Sequence, residues 1–211
     1  MRFQFPAALL LALAILPFSN TLAQGVAATS GKKKIHVAFN MAEWKAKHIH
    51  DDAAAKQFVE TLKTLGCEVK QAAHNGHTDV SCRTQTWKAL ALDSSEQAIQ
   101  WVKWLQDSGF QTIYGRKYGS HKKEKQGKVE LVQYRLSEWK ASHIHDKRQL
   151  LDLTALYRGL GCEMEQSGHA GHTDLKVRCQ EWMEFEVGSH AIANTWLKYL
   201  ASLGFETKHE H

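Results

Sequence analysis

The sequence predicts an α+β protein made of two copies of a ferredoxin-like βαββαβ sandwich, in which an antiparallel sheet carries two helices on one face. Three observations support this fold class. The chain matches itself at a shift of 95 residues. Within each copy, apolar residues recur with the spacing of strands and of helices in alternation. Glycines follow the predicted helices at the places where helices commonly end.

The internal match runs without a gap and defines two repeats. The recurring segments are 43–46 with 138–141, 48–51 with 143–146, 65–68 with 160–163, and 76–79 with 171–174. Two units of about 80 residues are typical of tandem duplication rather than of a solenoid. We refer to residues 34–115 as the first repeat and to residues 128–211 as the second repeat.

The first half of each repeat is predicted to be a strand, a loop and a helix. The strand covers 34–41, and 129–136 in the second repeat. The loop carries a tryptophan and a His-Ile-His sequence. The helix begins at Asp51 and ends before Gly66, with Gly161 as its counterpart, because glycine tolerates the left-handed conformation of a helix C-terminus. Its apolar face is formed by Ala55, Phe58, Val59, Leu62 and Leu65.

The second half of each repeat is predicted to be a hairpin, a helix and a final strand. The hairpin strands cover 67–72 and 79–92. Asp93 and Glu96 form a capping box at the start of the second helix. That helix stops at Gly109, and the last strand begins at Phe110.

The termini and linkers indicate an exported protein. Residues 1–23 have a positive charge, an apolar run and small residues before Gln24, which is the layout of a signal peptide. The apolar run is too short for a membrane anchor, and no later stretch could span a bilayer. Residues 24–33 and the basic segment 116–127 are interpreted as linkers. We expect a secreted or periplasmic protein with no nucleic-acid partner, since no recognition motif is present.

Four histidines in each repeat are the main functional signal. In a βαββαβ unit the first two strands run parallel, so the segment after strand one and the turn after strand two lie at the same end of the sheet. Four imidazoles should therefore meet there in each repeat. The predicted metal ligands are His48, His50, His74, His77, His143, His145, His169 and His172.

The histidines suit a transition-metal ion of the zinc or copper class. Asp51, Asp79, Asp146 and Asp174 are expected to orient ring nitrogens or to bind the ion themselves. Asp51 could instead simply begin its helix. Purely structural, hydrogen-bonding histidines are the alternative. The helices around the two sites differ in sequence while the histidines recur, which favours a functional role. His36, His121 and His190 have no counterpart in the other repeat and are interpreted as incidental. The tail 209–211 could bind metal weakly, but an unstructured end is the favoured interpretation.

Four cysteines in an exported chain suggest disulfides within each repeat, with buried free thiols as the alternative. Cys67 and Cys82 should lie opposite each other if Val69 faces Val80. Cys162 and Cys179 differ in spacing by two residues. If both hairpins keep one register, only one of the two pairs can be directly opposite, because a diagonal pair is too far apart for an unstrained bridge.

The sheet face away from the helices carries recurring polar and aromatic residues. Alternation places Arg83 and Trp87 there, with Arg178 and Trp182 in the second repeat. Glu68 should pair with Arg83 across the hairpin. An outward tryptophan indicates that the two open faces pack together or that a protein partner or ligand covers them. Trp44 and Trp139 are expected to anchor the histidine loops.

Three functions remain open at this point. The first is an exported metal-binding protein, such as a carrier, buffer or sensor. The second is a metal- or histidine-dependent hydrolase, with Glu43, Asp51, Thr78 and Asp79 as candidate partners. The third is an interaction module with structural histidines. The first is favoured, since no signature of a covalent nucleophile is present.

Overall fold

The structure, a computed structural model, describes residues 34–74, 76–120, 130–169 and 171–210. The predicted signal peptide, the first linker and most of the basic linker lie outside these ranges. Within these ranges the fold is α+β, with antiparallel sheets and four helices. No helix within the described residues is both long and apolar enough to cross a membrane.

The first repeat contains six strands and two helices. In chain order they are β1 (Ile35–Asn40), β2 (Lys45–Ile49), α1 (Asp52–Thr64), β3 (Glu68–His74), β4 (His77–Arg83), β5 (Lys88–Leu92), α2 (Ser95–Asp107) and β6 (Gln111–Ile113). The strands pair in the orders β5-β1-β6 and β2-β4-β3, all antiparallel. The His-Ile-His segment, predicted to be a loop, begins on β2, and alternation along that strand buries Ile49 between the two histidines.

Two interruptions divide the long strands of this repeat. The extended pairing is interrupted between β1 and β2, and again between β4 and β5. At the break the amide of Thr84 donates to the carbonyl oxygen of Met41 at 2.8 Å, and the amide of Met41 donates to Thr84 Oγ1 at 2.8 Å. These bonds satisfy buried polar groups that would otherwise lose their partners.

The second repeat keeps its strands continuous. Its elements follow β7 (Arg116–Lys117) and are β8 (Glu130–Ile144), α3 (Lys147–Gly159), β9 (Glu163–His169), β10 (His172–Val187), α4 (His190–Ser202) and β11 (Glu206–Glu210). The strand order is β11-β8-β10, with β9 beside the first half of β10 and β7 beside its second half. Two details differ from the prediction: residues 116–117 at the start of the basic linker form β7, and residues 209–210 of the expected unstructured tail continue the last strand, β11.

The helix ends are set by local chemistry. Asp51 caps α1 by accepting from the amide of Ala54 at 2.6 Å, and Gly66 follows the helix with a φ of 74°, as predicted for a helix-ending glycine. The predicted capping box of α2 was displaced by one residue. Ser94 is the cap and accepts from the amide of Gln97, because a serine hydroxyl is a good acceptor for an early helix amide.

Each repeat has its own apolar core between sheet and helices. In the first repeat Val37, Phe39, Val80 and Cys82 face α1 and α2, as alternation predicts. The second core is built in the same way around Tyr134, whose hydroxyl donates to the carbonyl oxygen of Leu160 at 2.7 Å. The two helices of each repeat therefore cover one face of its sheet.

The open face of the first sheet is covered by helix α3 of the second repeat. Ala38 and Ile113 lie within the second core, and α3 packs on β1 and β5. A Cβ atom added to Gly159 would lie 2.3 Å from the Cβ of Ala38, so the helix can approach this closely only with glycine. The open face of the first repeat is thus covered within the chain, but by helix α3 rather than by the other open face as predicted.

Trp87 shows how this interface is completed. It is half-buried, packs against the second core and lies 5.7 Å from the ring of Trp196, measured between centroids. Its amide donates to Asp152 Oδ1 at 2.5 Å. Arg148 donates to the side-chain oxygen of Gln85 at 2.7 Å. The outward tryptophan of the first repeat is therefore covered within the chain.

The cysteine register differs from the predicted one. Cys82 lies opposite Val69, and Val80 lies opposite Gln71, so Cys67 and Cys82 are diagonal rather than facing. The second hairpin keeps the same register, with Arg178 opposite Glu163. Extending it by one residue sets Cys179 opposite Cys162. All four cysteines are free thiols in the structure, so the disulfides stay a prediction.

Candidate functional site

The eight predicted ligands lie on, or immediately after, the strands that meet at one end of each sheet. In the first repeat His48 is on β2, His50 follows that strand, and His74 and His77 face each other across the turn between β3 and β4. Gly76, with a φ of 78°, makes this tight turn. Cross-strand pairing sets His48 opposite Asp79 and Ile49 opposite Thr78. The predicted convergence of the two histidine pairs is therefore present.

The four rings of the first repeat form one cluster, which we call the first histidine cluster. The ring of His48 lies 3.8 Å from that of His77, 5.1 Å from that of His50 and 5.9 Å from that of His74, measured between centroids. His77 also lies 4.2 Å from His74 and 5.6 Å from His50. Ring nitrogens of His48, His50 and His77 lie within 4.8 Å of one another.

The second repeat forms the second histidine cluster with closely similar spacing. His143 lies 3.9 Å from His172 and 5.0 Å from His145, and His145 lies 5.2 Å from His172, again between ring centroids. The backbone of His169 pairs with that of His172, as His74 pairs with His77. The side chain of His169 lies outside the described part of the chain. An open depression of about 540 Å³ borders His145, His172 and Leu150.

One aspartate in each repeat is bonded to the first histidine of the cluster. Asp79 Oδ1 accepts from Nδ1 of His48, and Asp174 Oδ1 lies 2.5 Å from Nδ1 of His143. Asp79 Oδ2 also lies 3.7 Å from Nε2 of His74. A carboxylate on Nδ1 fixes the ring and leaves the Nε2 lone pair directed away from it, which is the arrangement of metal-binding histidines.

The other two aspartates do not contribute in this way. Asp51 and Asp146 accept from the amides of Ala54 and Gln149, each at 2.6 Å, and so cap helices α1 and α3. The alternative given for Asp51, that it begins its helix, therefore describes its position. The helix N-terminus supplies amide donors that satisfy these carboxylates.

Electrostatics in the first cluster reflect the crowding of imidazoles. Partial burial, and then the positive charges of His48, His74 and His50, lower the pKa of His77. The hydrogen bond from His48 lowers the pKa of Asp79. A lowered histidine pKa increases the fraction of neutral imidazole, which is the form that binds metal.

The ligand spacing is close to that of a four-coordinate ion. At a bond length of about 2.0–2.1 Å, nitrogens around tetrahedral zinc are about 3.4 Å apart. The nitrogens of His48, His50 and His77 are at most 4.8 Å apart. Changes in side-chain torsions of these partly exposed rings would bring them together, with His74 available as a fourth ligand. His48, His74 and Asp79 form a second, overlapping set of the same span.

The open faces beside the clusters are lined by stacked cations and tryptophans. Arg83 lies 4.8 Å above the ring of Trp44 and bonds to Glu68 at 2.9 Å, and Arg178 repeats this over Trp139 at 4.5 Å. Trp182 lies under Arg135 and Lys208, at 5.0 and 4.2 Å. These contacts account for the recurring Trp, Arg and Glu residues as packing that supports the strands of the clusters.

Sequence reasoning missed one further group of candidate ligands. Glu130, His190 and His209 also have donor atoms within 4.8 Å of one another. From the sequence, His190 is interpreted as incidental, and His209 only as part of a tail that could bind metal weakly. The three residues are separated along the chain and none of them recurs in the first repeat, so neither spacing nor repetition indicates that they meet.

Comparison with models of known protein families finds no match, and comparison with curated proteins likewise finds none. The functional interpretation therefore depends on the residues and their geometry.

Proposed function

We propose that the chain is an exported metal-binding protein with one site for a zinc- or copper-class ion in each repeat. The observation that carries this proposal is the packing of His48, His50 and His77 with ring centroids no more than 5.6 Å apart, together with the matching trio in the second repeat. Imidazole groups this close repel one another when protonated and gain most from sharing a cation.

The two sites have a common origin in this proposal. We infer that the repeats are ferredoxin-like βαββαβ modules produced by tandem duplication. Support comes from the strand order of the second repeat, β11-β8-β10-β9, which is that of its four principal strands numbered 4-1-3-2. The first repeat has this order once its two broken strands are each counted as one. Duplication would deliver two equivalent sites in one chain.

Storage or transfer of the ion fits the surroundings of the clusters better than catalysis. His48 and His143 are nearly half exposed, so an ion can enter and leave without a large movement of the fold. Cys67 and Cys162 immediately precede β3 and β9, at the ends of these strands opposite to His74 and His169. They are therefore not candidate nucleophiles at the clusters. We therefore assign the protein to the carriers and buffers rather than to the hydrolases.

The decisive experiment is elemental analysis of protein purified from the exported fraction without chelator or affinity tag. We expect zinc or copper in stoichiometric amounts. The double variant His50→Ala/His77→Ala should lose one equivalent relative to the unaltered chain, and His145→Ala/His172→Ala should lose another. His36→Ala is the matched control, since His36 lies on β1 outside both clusters.

Two results would contradict the proposal. One is protein that carries no metal and takes up none tightly at neutral pH. The other is full metal content in both double variants. Turnover of ester or phosphodiester substrates that requires the bound ion would instead assign the sites to a hydrolase.

A further inference from the structure

We propose that Glu130, His190 and His209 form a third metal site, which takes a divalent transition ion such as Zn²⁺ through one carboxylate and two imidazoles. The site is distinct from the histidine clusters and does not depend on their function. Its three ligands come from three elements of the second repeat: the first residue of β8, the first residue of α4 and the fourth residue of β11.

The sheet brings two of these ligands to one place. His209 lies opposite Val132 on the neighbouring strand, and alternation puts Glu130 and Val132 on the same face, towards the helices. Glu130 pairs with Val187, and three residues later α4 begins at His190. His190 is therefore brought close to Glu130 and His209.

The distances are those of a group that can close around one ion. Nε2 of His209 lies 2.7 Å from Oε2 of Glu130, and Nδ1 of His190 lies 3.8 Å from the same oxygen. The two imidazole centroids are 4.9 Å apart. Donor atoms of all three side chains lie within 4.8 Å of one another. The spacing resembles that of the first histidine cluster.

Burial divides the three ligands into a fixed pair and a movable one. The side chains of Glu130 and His209 are only 15% and 12% exposed, whereas that of His190 is 56% exposed. The carboxylate and one imidazole are thus held by the protein, and the outer imidazole can close over an arriving ion. Three protein ligands around a tetrahedral ion leave one position for water or an outside ligand.

The first repeat gives an internal comparison for this corner of the fold. At the shift of 95 residues, Glu130, His190 and His209 correspond to Ile35, Ser95 and Tyr114. Ile35 and Tyr114 pack against the apolar core of the first repeat. The second repeat therefore has two imidazoles and a carboxylate where the first repeat has two core-packing side chains and a serine. The coincidence of three metal-binding side chain types at one corner, absent from the matching corner of the first repeat, favours a shared cation there.

The third site is far from the second histidine cluster. Glu130 begins β8 and His143 lies near its other end. At about 3.3 Å per residue, 13 residues of strand correspond to about 40 Å. The two sites therefore bind their ions independently and can be tested separately.

The test uses the full mature chain with both histidine clusters disabled by His48→Gln, His77→Gln, His143→Gln and His172→Gln. After removal of metal, Zn²⁺ is titrated in competition with a chromophoric chelator. We expect one remaining equivalent, which is lost when His209→Gln or Glu130→Gln is added. His36→Gln is the matched control and should keep it. No remaining equivalent, or one that survives His209→Gln, overturns the proposal.

A second measurement covers the case in which the fourfold variant does not fold, as judged by circular dichroism. ¹¹³Cd²⁺ is added to the otherwise unaltered chain, and its NMR signals are compared with those of His209→Gln. One signal should disappear in the variant while the others stay. An unchanged set of signals overturns the third site and leaves the clusters unaffected. A single signal that His209→Gln removes supports the third site even if the clusters bind nothing.

Discussion

Nδ1 of His48 on β2 is hydrogen bonded to the carboxylate of Asp79, which lies directly opposite it on β4. The same relationship joins His143 to Asp174 in the second repeat. A pair fixed by strand register keeps the imidazole in one orientation before any ion arrives. The positioning of the proposed metal sites is therefore built into the sheet.

Asp79→Asn should weaken zinc binding at the first cluster by about 10–100-fold, because the ring of His48 loses its orienting carboxylate. Isothermal titration calorimetry of the metal-free protein measures the effect. Asp51→Asn is the matched control: asparagine also caps helices, and Asp51 is occupied at the start of α1. Equal affinities in the two variants would show that the hydrogen bond to His48 does not support the site.

His48→Ala should raise the pKa of Asp79 towards its ordinary value of 3.8, because the hydrogen bond from His48 is the main cause that lowers it. Carboxyl ¹³C chemical shifts against pH measure this change. A lowered carboxylate pKa adds stability that is present above the unfolded-state pKa and is lost as the pH falls through the folded-state pKa. The unaltered protein should therefore lose more stability than the variant on acidification below about pH 4. An Asp79 pKa that does not move would contradict the assignment.

Zinc should raise the melting temperature if the clusters bind it only in the folded state. At a free concentration of 100 times Kd, each site adds about 2.7 kcal/mol. For a chain of this size, that corresponds to about 5–10 °C per site. Differential scanning calorimetry should show a smaller rise in His50→Ala/His77→Ala. The same rise in both proteins would mean that the stabilising ion binds elsewhere.

Gly159→Ala should destabilise the protein by about 1–3 kcal/mol, because its Cβ would overlap that of Ala38. The direction of the change in the free energy of unfolding is informative, since alanine normally stabilises a helix by about 1 kcal/mol relative to glycine. Urea unfolding measures the difference. Gly188→Ala is the control, as no atom lies within 4 Å of its added Cβ. A stabilised Gly159→Ala protein would show that α3 does not pack closely on the first sheet.

Oxidation should link Cys162 to Cys179 and leave Cys67 and Cys82 unlinked, because only the former pair lies directly across the shared hairpin register. Burial raises the pKa of Cys162 and raises that of Cys67 to about 12. Formation should therefore be slow at neutral pH, since the thiolate is the reactive species. Peptide mapping by mass spectrometry without reduction identifies the linkage. A Cys67–Cys82 bridge would contradict the register argument.

The parts of the fold that repeat, or that alternate regularly, could be predicted from the sequence. The meeting of the histidines followed from chain order alone, because a crossover helix returns the second strand in the direction of the first. The breaks around Met41 and Thr84 could not be foreseen. Val80, Cys82, Leu90 and Leu92 are all at even positions, so one uninterrupted strand fits the pattern equally well.

Contacts that have no counterpart in the other repeat could not be predicted from the sequence, for a different reason. Docking of α3 depends on Gly159 meeting Ala38, two residues 121 apart that carry no periodic signal. The group of Glu130, His190 and His209 is likewise assembled only when β8 and β11 pair. Such arrangements depend on tertiary packing rather than on local preference.

The seating of α3 on the first sheet is a head-to-tail contact, and contacts of that kind can continue from molecule to molecule into a fibre unless something stops them. On the first sheet the contact surface is the facing pair Ala38 and Ala89. The corresponding pair on the second sheet is Gln133 and Glu184. Both of these polar side chains are buried within the chain, at 2% and 1% exposure. This part of the second sheet is therefore not exposed to the α3 of a neighbouring molecule, and the contact has no site there at which to repeat.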